Sequence, residues 1–336
     1  MNLQYVCTRC KETIPFDIQV IECKCGGSLS CPSNSSFSEI EIRKENFSLW
    51  RHSTLLPFNQ TAKSWESVTL GEGFSPIITL DDENQEFYLK MELVSPGYSY
   101  YARGAVVLLA KARELGVKKL VMNGGGKFGK IIALYAKRAG ISCEIFLPHG
   151  YSEREIKQLN LLGAIIHIND ESDKEIEKVM DGKEDYLFLP SVYHPLFIEG
   201  LKTFAYEIVE QQSNRLPDSL VIPLDEGGLL LATYYGFNEL LDKGLIDKLP
   251  QLIVVKEANM TISKQMETKI KEVLNITNAT VLSVQLSEKN QAYKALLSRG
   301  LLIDSVTAAA YAGYMRYFRD HALNDKRVLM SVSGDW

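Results

Sequence analysis

The sequence predicts an α/β protein built from two open, mostly parallel αβα domains preceded by a small cysteine-rich module. Three observations lead there. Short apolar runs alternate with helix-length amphipathic stretches from about residue 104 onward, the signature of βαβ units on a parallel sheet. Four of the six cysteines stand before residue 26. The chain has 336 residues, which at roughly 100–200 residues per domain suits two domains with an extra module.

In chain order, the cysteine module occupies residues 1–32. Pro32, Ser33, Asn34, Ser35 and Ser36 read as a linker out of it. A loop punctuated by Gly71, Gly73 and Pro76 precedes a strand over 87–91, marked by its aromatic and alternating character. Helix 104–115, strand 119–122, helix 129–139, strand 143–147, a helix near 153–162, strand 164–168, a helix near 171–180 and strand 186–189 complete one series. The second series has a long helix over 195–212, strands 219–223 and 252–255 with a helix from about 228 between them, a helix over 307–322, and strand 327–332. The predicted boundaries are 89–189 for a smaller α/β domain, and 33–88 with 190–336 for a larger one. Ligands in open α/β sheets sit at the carboxyl ends of the strands, so a cleft between the two domains and the strand-to-helix loops are where a site is expected.

Composition narrows the function classes. With 37 basic and 42 acidic residues the net charge is −5 and no basic stripe occurs, which argues against nucleic acid as a partner. No stretch reaches the ~20 apolar residues of a membrane span. The first residues lack the basic start and apolar run of a secretory signal, so a cytoplasmic protein with reduced thiols is expected. The five histidines are scattered and suggest no triad; His194 lies nearest the predicted cleft.

Cys7 and Cys10 form one close pair, Cys23 and Cys25 a second, and Gly26-Gly27 follow the second. A tetrahedral zinc site needs four soft ligands from two short turns, so these four are the candidate ligands of a structural zinc in a zinc-ribbon-like module. Cys31 is a spare or a substitute ligand. The pattern also suits four reduced thiols in a short β-rich segment.

The loops match one family in order. Trp50-Arg51, the segment from Gly71 to Pro76, Leu89-Lys90-Met91-Glu92, Glu199-Gly200-Leu201-Lys202-Thr203, Gly227-Gly228 and the stretch from Ala308 to Gly313 resemble threonine synthase and its relatives in the tryptophan synthase β-like, fold-type II group of pyridoxal phosphate enzymes. The resemblance spans nearly the whole chain and implies that fold. Function has to be argued from the site.

In that family a segment similar to S-F-K-D-R-G carries the lysine that forms the imine with the cofactor. Here it reads Ser99, Tyr100, Tyr101, Ala102, Arg103, Gly104, so the resemblance puts Tyr101 at the lysine position. A phenol cannot condense with an aldehyde. Arg103-Gly104 reads more simply as a helix start with a packed glycine. The carboxylate-binding loop, similar to S-S-G-N-x-G, is Gly124, Gly125, Gly126, Lys127, Phe128, Gly129. Its glycines let backbone N–H groups face an anion at a helix N-terminus. Lys127 stands at the asparagine position, as a contact for an anion, a relocated amine, or a solvated side chain. In the phosphate loop, Asp225, Glu226, Gly227 and Gly228 follow Pro223 and Leu224. Each acid at ~4 Å from a phosphate would cost about 4 kcal/mol at an effective dielectric near 20. They suit an amine or a metal ion, or act as N-capping acids of the next helix. Ser331 or Ser333 matches the serine that bonds the pyridine nitrogen in the family, and reads equally as a turn serine.

These departures imply that pyridoxal phosphate is not held as an ordinary internal aldimine. The expected function is a threonine synthase-like homologue that binds a small anionic ligand, of amino-acid or phosphate type, or a partner subunit in the cleft. A homodimer or a heteromer with an active relative is the expected assembly. The alternative is an enzyme of amino-acid metabolism using pyridoxal phosphate through Lys127, or cofactor-independent chemistry.

Overall fold

The structure is a computed structural model that describes residues 3–32, 41–58, 64–81, 85–170, 172–212, 215–321 and 326–335. Residues 33–36 of the expected linker, and Ala322 at the end of the last expected helix, lie outside the described residues.

The chain divides into two compact units. The first comprises residues 1–34, 53–70 and 101–200. It opens on strands β1 (Gln4–Cys7), β2 (Thr13–Pro15) and β3 (Leu29–Ser30), which form an antiparallel sheet in the order β2-β1-β3. Helix α1 (Tyr101–Glu114) follows, then β6 (Lys119–Asn123), α2 (Gly126–Ala139), β7 (Ser142–Leu147), α3 (Glu153–Leu161), β8 (Ala164–Ile168), α4 (Ser172–Met180) and β9 (Tyr186–Leu189); β4 (Ile77–Leu80) and β5 (Gln85–Met91) precede them in sequence and belong to the second unit. The four later strands make a parallel sheet in the order β8-β7-β6-β9. Ser152 caps α3 by accepting a hydrogen bond from the Glu155 N–H, and α2 ends on Gly140 at φ +73°, where glycine has no Cβ penalty.

Helix α5 (Pro195–Gln211) begins in the first unit and ends in the second. The second unit comprises residues 35–52, 71–100 and 201–336. Its sheet contains β4 (Ile77–Leu80), β5 (Gln85–Met91), β10 (Ser219–Pro223), β11 (Gln251–Glu257), β12 (Thr280–Val284) and β13 (Lys326–Val332) in the order β12-β11-β10-β13-β5-β4. All neighbours are parallel except the β4–β5 pair at one edge. Helices α6 (Gly228–Asp242), α7 (Lys264–Thr277), α8 (Leu286–Leu297) and α9 (Ser305–His321) complete it. One face of the sheet, including Phe87, Val221, Val255 and Met330, packs on Ala308, Tyr311 and Tyr314 of α9. Gly313 allows this approach, because a Cβ there would stand 2.4 Å from Val255 Cγ2 if drawn on the same backbone.

The parallel α/β class is as the sequence predicts. The elements between 258 and 305 are the main addition. Helices α7 and α8 are polar over most of their surface and bury few residues, among them Ile270, Val273 and Leu296; β12 is an edge strand with half-exposed side chains. Their apolar signal is thin for that reason. Helix α1 starts at Tyr101 and α2 at Gly126, three residues earlier than the expected 104 and 129. Among the described residues no helix is long and apolar enough to cross a membrane.

The second unit is organised around a buried ion pair. Lys90 Nζ lies 2.8 Å from Glu207 Oε2, with both side chains fully buried. The ammonium also donates to the Ser75 carbonyl at 2.6 Å and to Gln211 Oε1 at 2.9 Å. Glu207 Oε1 accepts from the Phe74 N–H at 2.6 Å. Gly73, at φ +86°, brings the loop close, since a Cβ would lie 2.7 Å from the Leu49 nitrogen and 2.8 Å from Glu207 Oε1. Removing one partner of a buried pair strands the other charge, at about 3–5 kcal/mol. Lys90→Met is therefore expected to lower the urea-unfolding free energy by about that amount, and Lys90→Met combined with Glu207→Leu to recover most of the loss.

Candidate functional site

Tyr101 is the first residue of α1 and is buried. Its ring meets Phe128 edge-on, with centroids 5.7 Å apart, and lies 6.0 Å from Phe197. Phe128 and Phe197 are themselves T-shaped at 5.3 Å, the geometry that aromatic quadrupoles favour. Three segments of the first unit, the starts of α1, α2 and α5, thus meet in one aromatic cluster. Gly104 admits Phe197, because any Cβ there would touch its ring at 2.7 Å; the packed glycine is real. Gly200 lies so close to the Arg103 carbonyl that a Cβ could not be accommodated. Arg103 is fully buried. The sequence singled out Tyr101 but missed Phe128 and Phe197, whose spacing alone does not bring them together.

The Gly124–Gly126 loop turns through positive φ at Gly124 (+81°) and Gly126 (+61°). The helix cap, Gly125, has no capping side chain. Its N–H donates to Tyr151 Oη at 3.2 Å, and a Cβ would press on that ring at 3.0 Å. Gly129 sits 3.1 Å, by the same measure, from the Gly124 carbonyl. Lys127 is in the first turn of α2 and half-buried. First-turn N–H groups have no partner within a helix, and the helix dipole makes this end of α2 positive.

In the second unit, Ser99 is fully buried next to Tyr100. Tyr100 Oη donates to Asp225 Oδ2 at 2.8 Å. Asp225 has φ +39°, and Gly227, the N-cap of α6, has φ +86°. The N-cap position of α6 falls on Gly227, which has no side chain to cap with. Gly227 is tightly enclosed: a Cβ would fall 2.6 Å from Ile270 Cδ1, and Gly228 opens the helix behind it. Glu226 is pushed up to about 7, first by surrounding protein and then by the Asp225 charge; its side chain still reaches solvent, which screens part of that effect.

The two candidate serines separate cleanly. Ser333 Oγ donates to Asp304 Oδ2 at 2.7 Å, and its backbone exchanges hydrogen bonds with Thr307 Oγ1 at 2.9 and 3.1 Å. Its hydroxyl proton is committed to holding the start of α9. Ser331 Oγ is buried and has no hydrogen-bond partner among the described residues. Of the pair, Ser331 retains capacity for a ligand.

The sulfurs of Cys7, Cys10, Cys23 and Cys25 lie within 4.8 Å of one another. Cys7 Sγ is 3.5 Å from Cys25 Sγ, and Cys10 Sγ 3.6 Å from Cys23 Sγ. Gly27 leaves room for them, as a Cβ there would lie 2.6 Å from Cys7 Sγ. The Gly27 N–H holds the Cys25 thiol down, at about 7. Cys23, despite an N–H from Cys25, is pushed up to about 12 by burial and its thiol neighbours. Cys31 stands outside the group; its N–H donates to Glu199 Oε1 at 2.8 Å, beside Ser30 Oγ at 3.0 Å. Fully buried His194 contacts the Ile18 carbonyl through Nε2 at 2.9 Å. Both residues sit at the start of α5, so the module is docked there.

Comparison with known proteins gives this arrangement its family. Residues 68–334 match the family described as pyridoxal-phosphate dependent enzyme, and the chain belongs to that family. It is 27% identical over 320 residues to threonine synthase of Methanocaldococcus jannaschii, covering 90% of this chain and 78% of that one. Threonine synthase of Methanosarcina acetivorans is also 27% identical, over 319 residues, with the same coverage of 90% and 78%. Among solved structures, a pyridoxal 5'-phosphate-dependent aspartate racemase superposes with a TM-score of 0.64 at 19% identity, over 83% of this chain and 96% of that one. Serine racemase from Dictyostelium discoideum gives 0.64 at 17%, over 77% and 92%. These two share the fold.

Burial lowers the His194 imidazole to about 4, against the opposing pull of the Ile18 carbonyl. A folded value below the unfolded one means stability present above about pH 6.5 and lost as pH falls through about 4. Urea unfolding of the wild type is expected to weaken over that window more steeply than that of His194→Gln, the difference between the two curves being the readout.

Proposed function

We propose that this chain is a threonine synthase-like protein that does not hold pyridoxal phosphate as an ordinary imine, and that binds a small anionic ligand at the Gly124–Lys127 turn. The observation that carries the reading is the burial of Tyr101 between Phe128 and Phe197. Where the family resemblance places a primary amine, a phenol is packed in an apolar cluster. Two further features bear on the cofactor. The unpartnered hydroxyl of Ser331 suits a ring nitrogen. Asp225 and Glu226 at the start of α6 do not suit a phosphate dianion, because like charges there would have to be desolvated together. Taken together, these residues do not fit the cofactor in its usual attachment, and no reaction step is assigned to it.

The anion reading rests on the α2 start. Backbone N–H groups, the helix dipole and the Lys127 ammonium all favour negative charge in one place. A carboxylate or phosphate of a few heavy atoms matches that field.

The alternative of a lysine-bound cofactor on Lys127 keeps support from the family membership, and one experiment separates the two. Purified protein incubated with pyridoxal phosphate is expected to stay colourless and to yield no borohydride-trapped peptide. A yellow protein that borohydride bleaches, with the reduced cofactor trapped on Lys127, would replace this reading with the relocated-lysine enzyme. In parallel, calorimetric titration with inorganic phosphate and short carboxylates is expected to show binding that Lys127→Ala weakens about tenfold, a change of about 1.4 kcal/mol.

Zinc is proposed as the ligand of the four sulfurs. Zinc–thiolate bonds of ~2.3 Å in a tetrahedron put sulfurs about 3.8 Å apart, close to the separations here. Cys7, Cys10, Cys23 and Cys25 would fill all four positions, a structural site. Metal analysis should return one zinc per chain. Its removal by a chelator should expose the 3–32 segment to protease while the segments bearing α1–α9 stay resistant, since short modules of this kind fold with their metal.

A further inference from the structure

The start of α5 touches both the cysteine module and the aromatic cluster around Tyr101, all within the first unit. Two fully buried side chains, His194 and Glu199, make the contact with the module. His194 Nδ1 accepts the Leu196 N–H at 3.2 Å, so the neutral ring holds its proton on Nε2 and donates it to the Ile18 carbonyl at 2.9 Å. Glu199 Oε1 accepts from the Cys31 N–H at 2.8 Å and from Ser30 Oγ at 3.0 Å. Buried polar groups need such partners, and here the module supplies part of them to the first turns of α5.

The bonded groups of the module are set by the turns that carry its sulfurs. Cys7 of β1 pairs with Leu29 of β3, and Val6 with Ser30. The Thr8 N–H donates to the Ser28 carbonyl at 2.9 Å, and the Cys23 N–H to the Gly27 carbonyl at 3.1 Å. Ser30 and Cys31 thus continue directly from the second sulfur-bearing turn, and Ile18 lies in the stretch that joins the two turns. Apart from the cysteines, the buried core of the module is Tyr5 and Leu29, with Leu3, Ile14, Phe16 and Val20 half-buried around them. A core of that size does not hold a fold by itself, and a metal on the sulfurs supplies the rest.

The same turns of α5 also set the starts of α1 and α2. Phe197 packs on Gly104 of α1 and on Phe128 of α2, and Gly200 lies against the Arg103 carbonyl. A Cβ on either glycine would collide, so these contacts leave no slack, and close packing passes a displacement of α5 on to both helices. Given the zinc site and the α2 anion contact proposed above, we propose that metal occupancy of Cys7, Cys10, Cys23 and Cys25 controls how firmly the starts of α1 and α2 are held, and through them the affinity for the anion at the Gly124–Lys127 turn. His194, Glu199 and Phe197 are the positioning residues: the first two hold α5 to the module, and the third carries its position to the aromatic cluster. The coupling is reciprocal, so the anion strengthens zinc binding by the same factor by which zinc strengthens anion binding. The helices stay formed when the metal leaves; their first turns loosen, which hydrogen exchange detects and protease does not.

The test compares three forms of the full chain: zinc-loaded, stripped of zinc by a chelator that is then removed, and the Cys10→Ser, Cys25→Ser double variant. Amide hydrogen exchange is expected to quicken at least about tenfold over 197–204, 105–109 and 129–133 in both metal-free forms, with 305–321 in the second unit unchanged. Zinc added back should restore slow exchange in the stripped protein and not in the double variant. Calorimetric titration with inorganic phosphate should give at least about fivefold tighter binding to the zinc-loaded form than to the stripped one, and phosphate should tighten zinc by the same factor against a competing chelator. Quickened exchange confined to 3–32 overturns the proposal, since the module would then fold and unfold without consequence for α1 and α2. Equal phosphate affinity in the loaded and stripped forms overturns it too, as does a chain that neither carries zinc nor takes it up, which metal analysis reports by itself. Phosphate binding to neither form would retire the α2 anion contact alone, and the exchange over 105–109 and 129–133 would still decide whether the module holds those helices.

Discussion

The buried Lys90–Glu207 pair is the constraint on which the second unit depends. Neither charge reaches water, so both must be satisfied by protein, and the pair with the groups that satisfy it come from three separate segments. Ser75 and Phe74 fix the loop from Gly71 to Pro76 against β5 and α5. The neighbouring contacts continue the same arrangement. Trp50 Nε1 donates to Glu72 at 3.2 Å, Ser75 Oγ donates to Glu92 at 2.6 Å, and Arg51 binds Glu210 through two nitrogens while lying 3.7 Å over the Phe74 ring. A buried ionic group is weak evidence of net stability. What this network supplies is geometric: it permits one register of β5, α5 and the loop, because any slip leaves a charge unpaired.

That assigns a physical meaning to several motifs by which the chain resembles its family. Trp50-Arg51, Gly71 to Pro76 and Leu89 to Glu92 supply the network itself. In Glu199 to Thr203, Glu199 receives the cysteine module, Gly200 admits α1, and Lys202 pairs with Glu239 at 2.7 Å. These residues serve the scaffold. The family match spans residues 68–334, which include all of these motifs but Trp50-Arg51.

The site residues themselves fall into two electrostatic classes. The start of α2 concentrates positive potential: dipole, amide N–H groups and Lys127. The start of α6 carries two acids, Asp225 and Glu226, and the Tyr100 phenol donates to Asp225. Between 330 and 334, the choice of Ser331 over Ser333 depends on Asp304 and Thr307, which take the second hydroxyl into the base of α9.

From the sequence alone came the α/β class, the order and approximate limits of the strongly apolar elements, the cysteine group, and the chemical oddity of Tyr101, Lys127, Asp225 and Glu226. Each of these is local: periodicity, composition and residue type are properties of a short window. Helices α7 and α8 and the edge strand β12 were not legible, because they bury few side chains and leave little periodic signal. Nor could a window show that Tyr101 meets Phe128 and Phe197, that the Cys31 N–H reaches Glu199, that Ser333 is spent on Asp304, or that Lys256 and Asp225 border one cavity. Those facts join residues tens of positions apart, and only packing of the elements around their buried charges and glycine approaches decides which of them meet.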